Sequence, residues 1–252
     1  MPGKARIMVV DDELPVCKSV SKALERENHT VEMALSAEEA IRKSEGSAYD
    51  VIITDLMMPG LSGMELLKVI HGKSPATRVI MITGYPSIVT AVEALKCGAF
   101  DYIPKPFKPE ELRSLVARAL ASRLHNGKRE IEPPPGTYCI PENSWVRLDE
   151  KQNAVIGIHH AFLRAIKTVT GIEVPGTGEM RYQGEACIRV TDAEGRIHRV
   201  WTPISGRVIT TNAAAEADHS ILFEDPYGEG WLVLIAPTNL GAELPCLAKT
   251  GN

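Results

Sequence analysis

Five polar residues, each at the end of a short apolar run, are the positions where this chain could do chemistry. Asp11 and Asp12 follow Ile7-Met8-Val9-Val10, and Asp55 ends Val51-Ile52-Ile53-Thr54. Thr83 ends Val79-Ile80-Met81-Ile82, and Lys105 follows Tyr102-Ile103-Pro104. If the four runs are strands, these groups converge on one crevice at the strand carboxyl ends, where open α/β sheets place their sites. Three carboxylates in one crevice repel each other, and a hard divalent cation would hold them. Mg²⁺ suits the case, because it takes few protein ligands and fills the rest of its shell with water and phosphate oxygens. One carboxylate can then act as nucleophile toward a phosphoryl group while the metal neutralises charge. Lys105 would pair with phosphoryl oxygens and the Thr83 hydroxyl would donate to another. Taken singly, each residue has a plainer reading: Asp11-Asp12 as a helix cap before Leu14, Thr83-Gly84 as a turn, Lys105 as a solvated charge. Together they argue for the site.

The surrounding pattern supplies elements to position them. Residues 4–124 alternate strand and helix texture. Helical spacing marks Leu14 to Glu27, Ser87 to Lys96 and Glu110 to Leu124, and Ser36 with Glu39 forms a capping-box pattern. The β-branched runs at 51–54 and 79–82 suit strands buried on both faces. Alternation of this kind predicts a doubly wound α/β domain, a parallel sheet covered by helices.

The texture changes after residue 124. Residues 125–137 are polar and include Pro133-Pro134-Pro135-Gly136, which predicts an extended, semi-rigid spacer. From 138 to 252 the chain breaks into short runs that predict strands at Ser144–Leu148, Ala154–Ile158, Ala186–Val190, Ile197–Trp201, Arg207–Thr211 and Trp231–Ile235. Asp192–Gly195 and Pro226–Gly230 read as hairpin turns. Ala161 to Thr168 is the best helix candidate in an otherwise mostly β domain.

Residues 4–124 resemble the receiver domain of two-component response regulators, on the segments VVDDE, IITDLMMPGLSGMELL, MITGYPS and GAFDYIPKPF. The resemblance implies a five-stranded, flavodoxin-like parallel sheet with Asp55 as phosphoacceptor. It implies Mg²⁺ held by Asp11, Asp12, Asp55 and the backbone carbonyl of Met57. It further implies Thr83 and Tyr102 as switch residues, Lys105 as the phosphate-pairing lysine, a cis bond at Lys105-Pro106 and a sensor histidine kinase as partner; a receiver-mediated homodimer is left open, since the sequence does not say whether the active form is a dimer. Residues 138–252 resemble the glycine cleavage H protein, a lipoyl-carrier fold of the barrel-sandwich-hybrid kind. The matching segments are NSWVRL, VIGI, TPISG and EDPYGEGWL. In that family a lysine at a hairpin tip carries lipoate. Here the hairpin is expected between Gly184 and Thr202 with its tip near Glu194 and Gly195, and no lysine occurs from Gly184 to Gly206. Arginine is a poor acyl acceptor at any working pH. The expectation is the carrier fold without lipoate, reused to bind an unidentified protein target.

Composition narrows the classes further. The chain has 252 residues, a formal net charge of -4, 44% hydrophobic and 24% charged residues, which argues against a general affinity for nucleic acid or anionic membranes. Residues 138–252 show neither a helix-turn-helix pair nor a basic stripe, so a DNA-binding output is not expected. No apolar stretch approaches a membrane span, and the first residues lack a signal-peptide core. Five scattered cysteines fit a reduced, cytoplasmic protein. His159, His160 and His198 could suggest a metal site, but adjacent strand histidines would point to opposite faces. Trp145, Trp201 and Trp231 read as core, and Cys187 as a small buried residue. The competing function is a lipoyl carrier or metabolic adaptor controlled by a fused receiver, with Lys167 or Lys249 as acylation site.

Overall fold

A computed structural model describes residues 4–84, 93–124 and 131–251. The chain divides into two compact units, one containing residues up to 87 together with 97–124, the other containing 125–252. The expected helix at Ser87–Lys96 lies largely outside the described residues, as does the 125–130 part of the proline-rich stretch.

The first unit runs β1 (Arg6–Val10), α1 (Leu14–Glu25), β2 (Thr30–Ala34), α2 (Ala37–Gly46), β3 (Val51–Asp55), α3 (Gly63–Lys73), β4 (Arg78–Thr83), β5 (Asp101–Pro104) and α4 (Pro109–Leu124). Its five strands form one parallel sheet in the order β2-β1-β3-β4-β5. Every residue of β3 is buried, as expected of a central strand with helices on both faces. One apolar cluster joins Ile7, Val9, Ile53 and Ile80 of the sheet to Leu24 of α1 and Leu112 and Val116 of α4.

Local chemistry starts the helices. Ser36 accepts the Glu39 amide at 3.2 Å, and Glu39 accepts the Leu35 amide in return. A full capping box, Ser62 with Glu65, opens α3. Asp101 and Arg118 form a buried ion pair between β5 and α4, with the Arg118 guanidinium over the Phe100 ring.

The second unit is built from two antiparallel sheets with short helices between their strands. Its elements are β6 (Tyr138–Ile140), β7 (Ser144–Leu148), β8 (Ala154–Ile158), α5 (His160–Ile166), β9 (Gly171–Glu173), β10 (Met180–Arg181), β11 (Ala186–Thr191), β12 (Ile197–Trp201), β13 (Gly206–Thr211), α6 (Ala213–Ala217), α7 (Ile221–Glu224), β14 (Trp231–Pro237), α8 (Leu240–Glu243) and β15 (Ala248–Lys249). The larger sheet has the order β10-β13-β14-β8-β7-β6-β15, the smaller β12-β11-β9.

Three local expectations change. Pro226–Gly230 is not a hairpin turn. It joins α7 to β14 and is organised by Asp225, whose carboxylate accepts the Gly228 and Glu229 amides at 3.1 and 2.9 Å. His159 and His160 do not lie on a strand: His159 caps α5 through the Ala161 amide, and His160 is its first residue. Residues 131–137 belong with the second unit rather than forming a free spacer, because Thr250 Oγ1 donates to the Pro134 carbonyl at 2.9 Å and the Thr250 amide donates to Thr137.

Candidate functional site

The parallel sheet delivers its polar residues to one edge. Asp11 is the first residue after β1, Asp55 and Thr83 are the last of β3 and β4, and Lys105 is the first after β5. Asp11, Asp55 and Thr83 are buried, at 2%, 7% and 4% exposure. The Lys105 ammonium lies 2.7 Å from Asp55 Oδ1 and 2.8 Å from Asp11 Oδ2, so one cation bridges two carboxylates from separate strands. The remaining carboxylate oxygens also have donors: the Met57 amide donates to Asp55 Oδ2 at 2.7 Å and the Glu13 amide to Asp11 Oδ1 at 2.9 Å. The Lys105 amide donates to the Thr83 carbonyl at 2.7 Å, which ties the two strand ends together. Lys105-Pro106 is cis.

Electrostatics follow from this geometry. Burial works to lower the Lys105 pKa, but the hydrogen bonds to Asp11 and Asp55 outweigh it, and the net direction is upward. The lysine is therefore a fixed positive charge at neutral pH. Cys17 lies beneath the site, its thiol 3.4 Å from the Asp11 carbonyl; burial first, and Asp11 second, push it up to about 11. It is an inert packing group rather than a nucleophile.

The remaining expected residues sit around this core. Asp12 is exposed, one residue beyond Asp11, and Met57 is 67% exposed. Tyr102 is buried within β5. Among the described residues, no three histidine, cysteine, aspartate or glutamate side chains form a ready cage for a metal. The donor set does fit a hard cation with few protein ligands. Asp11 and Asp55 bring two carboxylates to one lysine, and Asp12, exposed, follows Asp11 directly in the sequence.

Two features of the site escaped the sequence reading. Gly63, the first residue of α3, packs so tightly on β3 that a Cβ there would lie 2.1 Å from the Asp55 carbonyl oxygen. Glu38 of α2 accepts the Leu61 amide at 3.1 Å from the loop that follows Asp55. The Ser62-Gly63-Met64-Glu65 pattern could have flagged the start of α3; nothing local flags Glu38.

In the second unit, β11 and β12 form the hairpin expected between Gly184 and Thr202, with Val190 opposite His198 and Thr191 opposite Ile197. Ala193, Glu194 and Gly195 are exposed at its turn. Asp192 orders that turn from inside. Its Oδ1 accepts the Glu194 and Arg196 amides at 3.0 and 2.8 Å, and its Oδ2 lies 2.9 Å from His198 Nε2. Lys167 follows α5 and Lys249 lies in β15, so neither candidate acylation site is on the hairpin. Trp145, Trp201 and Cys187 are buried, and Trp231 is partly buried.

Comparison with known proteins agrees with this division. The response regulator receiver domain matches residues 7–117, and the glycine cleavage H-protein matches residues 137–250. Neither family consists of conventional enzymes. The regulatory protein AtoC of Escherichia coli is 39% identical over 126 residues, which are 50% of this chain and 27% of AtoC. The acid tolerance regulatory protein ActR of Rhizobium meliloti is 31% identical over 144 residues, 57% of this chain and 70% of ActR. A CheY-like receiver domain structure from Methanospirillum hungatei is 34% identical with a TM-score of 0.48, covering 50% of this chain and all of the other. Among the described residues, no helix is long and apolar enough to cross a membrane. The chain belongs to the two-component response regulators, as a receiver domain followed by a glycine cleavage H-protein domain.

Proposed function

We propose that a sensor histidine kinase phosphorylates this chain on Asp55, and that the signal leaves through the second unit as a protein-binding domain without lipoate. The observation that carries the reading is the Lys105 ammonium held between Asp55 and Asp11. It places a fixed positive charge against the carboxylate that would attack phosphorus. In the transfer, an Asp55 oxygen forms the new O–P bond, the N–P bond of the kinase phosphohistidine breaks, and the imidazole leaves with the electron pair. Lys105 then pairs with phosphoryl oxygens. Mg²⁺, held by Asp11, Asp12, Asp55 and the Met57 carbonyl, would neutralise phosphoryl charge when bound. Thr83 and Tyr102 would shift with phosphorylation and bias the receiver between two states, altering receiver pairing or the second unit's contacts.

The second unit's role rests on its hairpin. A turn without lysine, ordered by Asp192, is built to be read rather than acylated. With no helix-turn-helix in the sequence, the target is a protein rather than DNA, and the setting is the cytoplasm. The test is acetyl phosphate labelling of the full chain with Mg²⁺, beside Asp55→Asn, and intact mass of the protein from its native host. Labelling that survives in Asp55→Asn sinks the phosphoacceptor assignment. A lipoyl adduct in the native mass replaces the binding role with the carrier reading.

A further inference from the structure

We infer that Glu38 is a positioning residue for Asp55, holding the loop after β3 so that the Met57 amide stays on the Asp55 carboxylate. The inference rests on the phosphoacceptor reading above. The loop from Leu56 to Ser62 leaves directly from Asp55. Its first limb is fixed by the Leu56 amide on the Ile82 carbonyl at 2.8 Å and the Met57 amide on Asp55 Oδ2 at 2.7 Å. Its second limb turns back at Gly60, whose φ of 77° is one that a side chain rarely adopts.

Glu38 meets the loop at this turn, 23 residues away in sequence. It accepts the Leu61 amide at 3.1 Å, and a Cβ added to Gly60 would lie 2.8 Å from Glu38 Oε1. The carboxylate therefore sits against the apex itself. Within the loop itself, the Gly63 amide donates to the Leu56 carbonyl at 3.1 Å, and Ser62 and Glu65 bond each other as the α3 cap. Glu38 ties the apex to α2, an element outside the loop. Without it, the apex between Leu56 and Gly63 is held from within the loop alone, and looser motion there reaches the Met57 amide beside Leu56. The same segment carries the carbonyl assigned above to the cation. Support of this indirect kind typically changes metal affinity without touching the ligands.

The test uses the full chain and two readouts, one of them free of metal. Amide hydrogen exchange without Mg²⁺ should rise about tenfold at Met57–Leu61 in Glu38→Ala, while Leu66 and Leu67 inside α3 keep wild-type protection. Glu38→Gln keeps an acceptor for the Leu61 amide and should stay within about twofold of wild type. Calorimetric titration with Mg²⁺ alone should show affinity about tenfold weaker in Glu38→Ala and little changed in Glu38→Gln. Wild-type exchange at Met57 in Glu38→Ala overturns the inference, and so does exchange raised equally throughout α2 and α3. If Glu38→Ala does not fold, Gly60→Ala disturbs the contact from the other side. The same local rise is then expected, and unchanged exchange at Met57 overturns it. A wild-type chain that neither binds Mg²⁺ nor is labelled on Asp55 removes the phosphoacceptor reading instead, whatever the exchange shows.

Discussion

Gly63 lies against Asp55 so closely that α3 begins in van der Waals contact with the end of β3, a Cβ at Gly63 falling 2.1 Å from the Asp55 carbonyl oxygen. The obstacle is backbone and cannot rotate away. Gly63→Ala should destabilise the first unit by roughly 2–3 kcal/mol and displace Asp55. Trp145, Trp201 and Trp231 all lie in the second unit, so tryptophan fluorescence should be unchanged while far-ultraviolet circular dichroism shows an earlier transition. A wild-type circular-dichroism transition in Gly63→Ala would refute this packing.

Removing the shared cation should separate folding from chemistry. Lys105→Ala leaves Asp55 and Asp11 facing each other without the ammonium that bridges them. Labelling of Asp55 by acetyl phosphate should fall about a hundredfold, the size of effect expected from losing one preorganised charge partner. Lys105→Arg should not restore it, because a planar guanidinium does not reproduce a point charge 2.7 and 2.8 Å from two carboxylates. Labelling within a few-fold of wild type in Lys105→Ala would show that the ammonium only balances charge at rest.

The second unit should weaken in mild acid. Burial, and secondarily His160, push the His159 pKa down from 6.5 to about 4, and burial lowers that of His160 as well. The folded state favours neutral rings, so the unfolded chain binds more protons as pH falls. The stability contribution is complete above the ordinary histidine pKa of about 6.5 and is lost as pH drops from there toward the folded value. The loss should reach roughly 2–3 kcal/mol, read as a lower urea midpoint by tryptophan fluorescence. His159→Asn keeps an acceptor for the Ala161 amide at 3.2 Å and cannot titrate, so its midpoint should depend less on pH. Equal pH dependence in wild type and His159→Asn would assign the effect elsewhere.

Asp192 makes a fourth prediction. Asp192→Ala removes the acceptor of two turn amides and the partner of a buried histidine. The cost should be about 2–4 kcal/mol by urea denaturation. A change under about 0.5 kcal/mol would mean that the turn holds its shape without the side chain.

The first unit was legible because its strands are continuous apolar runs buried on both faces. The run expected at Val51–Thr54 is observed as Val51–Asp55, and Glu110–Leu124 as Pro109–Leu124. The site was legible for the same reason, since strand ends fix where Asp11, Asp55, Thr83 and Lys105 must lie. Glu38 was not legible, because its contact with Leu61 spans 23 residues and depends on how α2 packs beside α3. In the second unit, five-residue strands such as Ser144–Leu148 and Ala154–Ile158 were read at their observed limits. The pairs Met180–Arg181 and Ala248–Lys249 were missed, being too short to carry a period of their own. Pro226–Gly230 misled because glycine and proline signal a reversal without saying what it joins; here Asp225 organises the loop between a helix and a strand.

The turn ordered by Asp192 has a consequence for recognition. A lipoyl arm must sweep between sites and therefore depends on conformational freedom. The Ala193–Gly195 turn has already surrendered that freedom, since Asp192 fixes backbone amides on either side of Gly195. A partner that docks on it would lose little chain entropy on binding. Substitutions at Ala193 or Glu194 would then act mainly on how long a complex lasts, leaving the rate of encounter nearly unchanged.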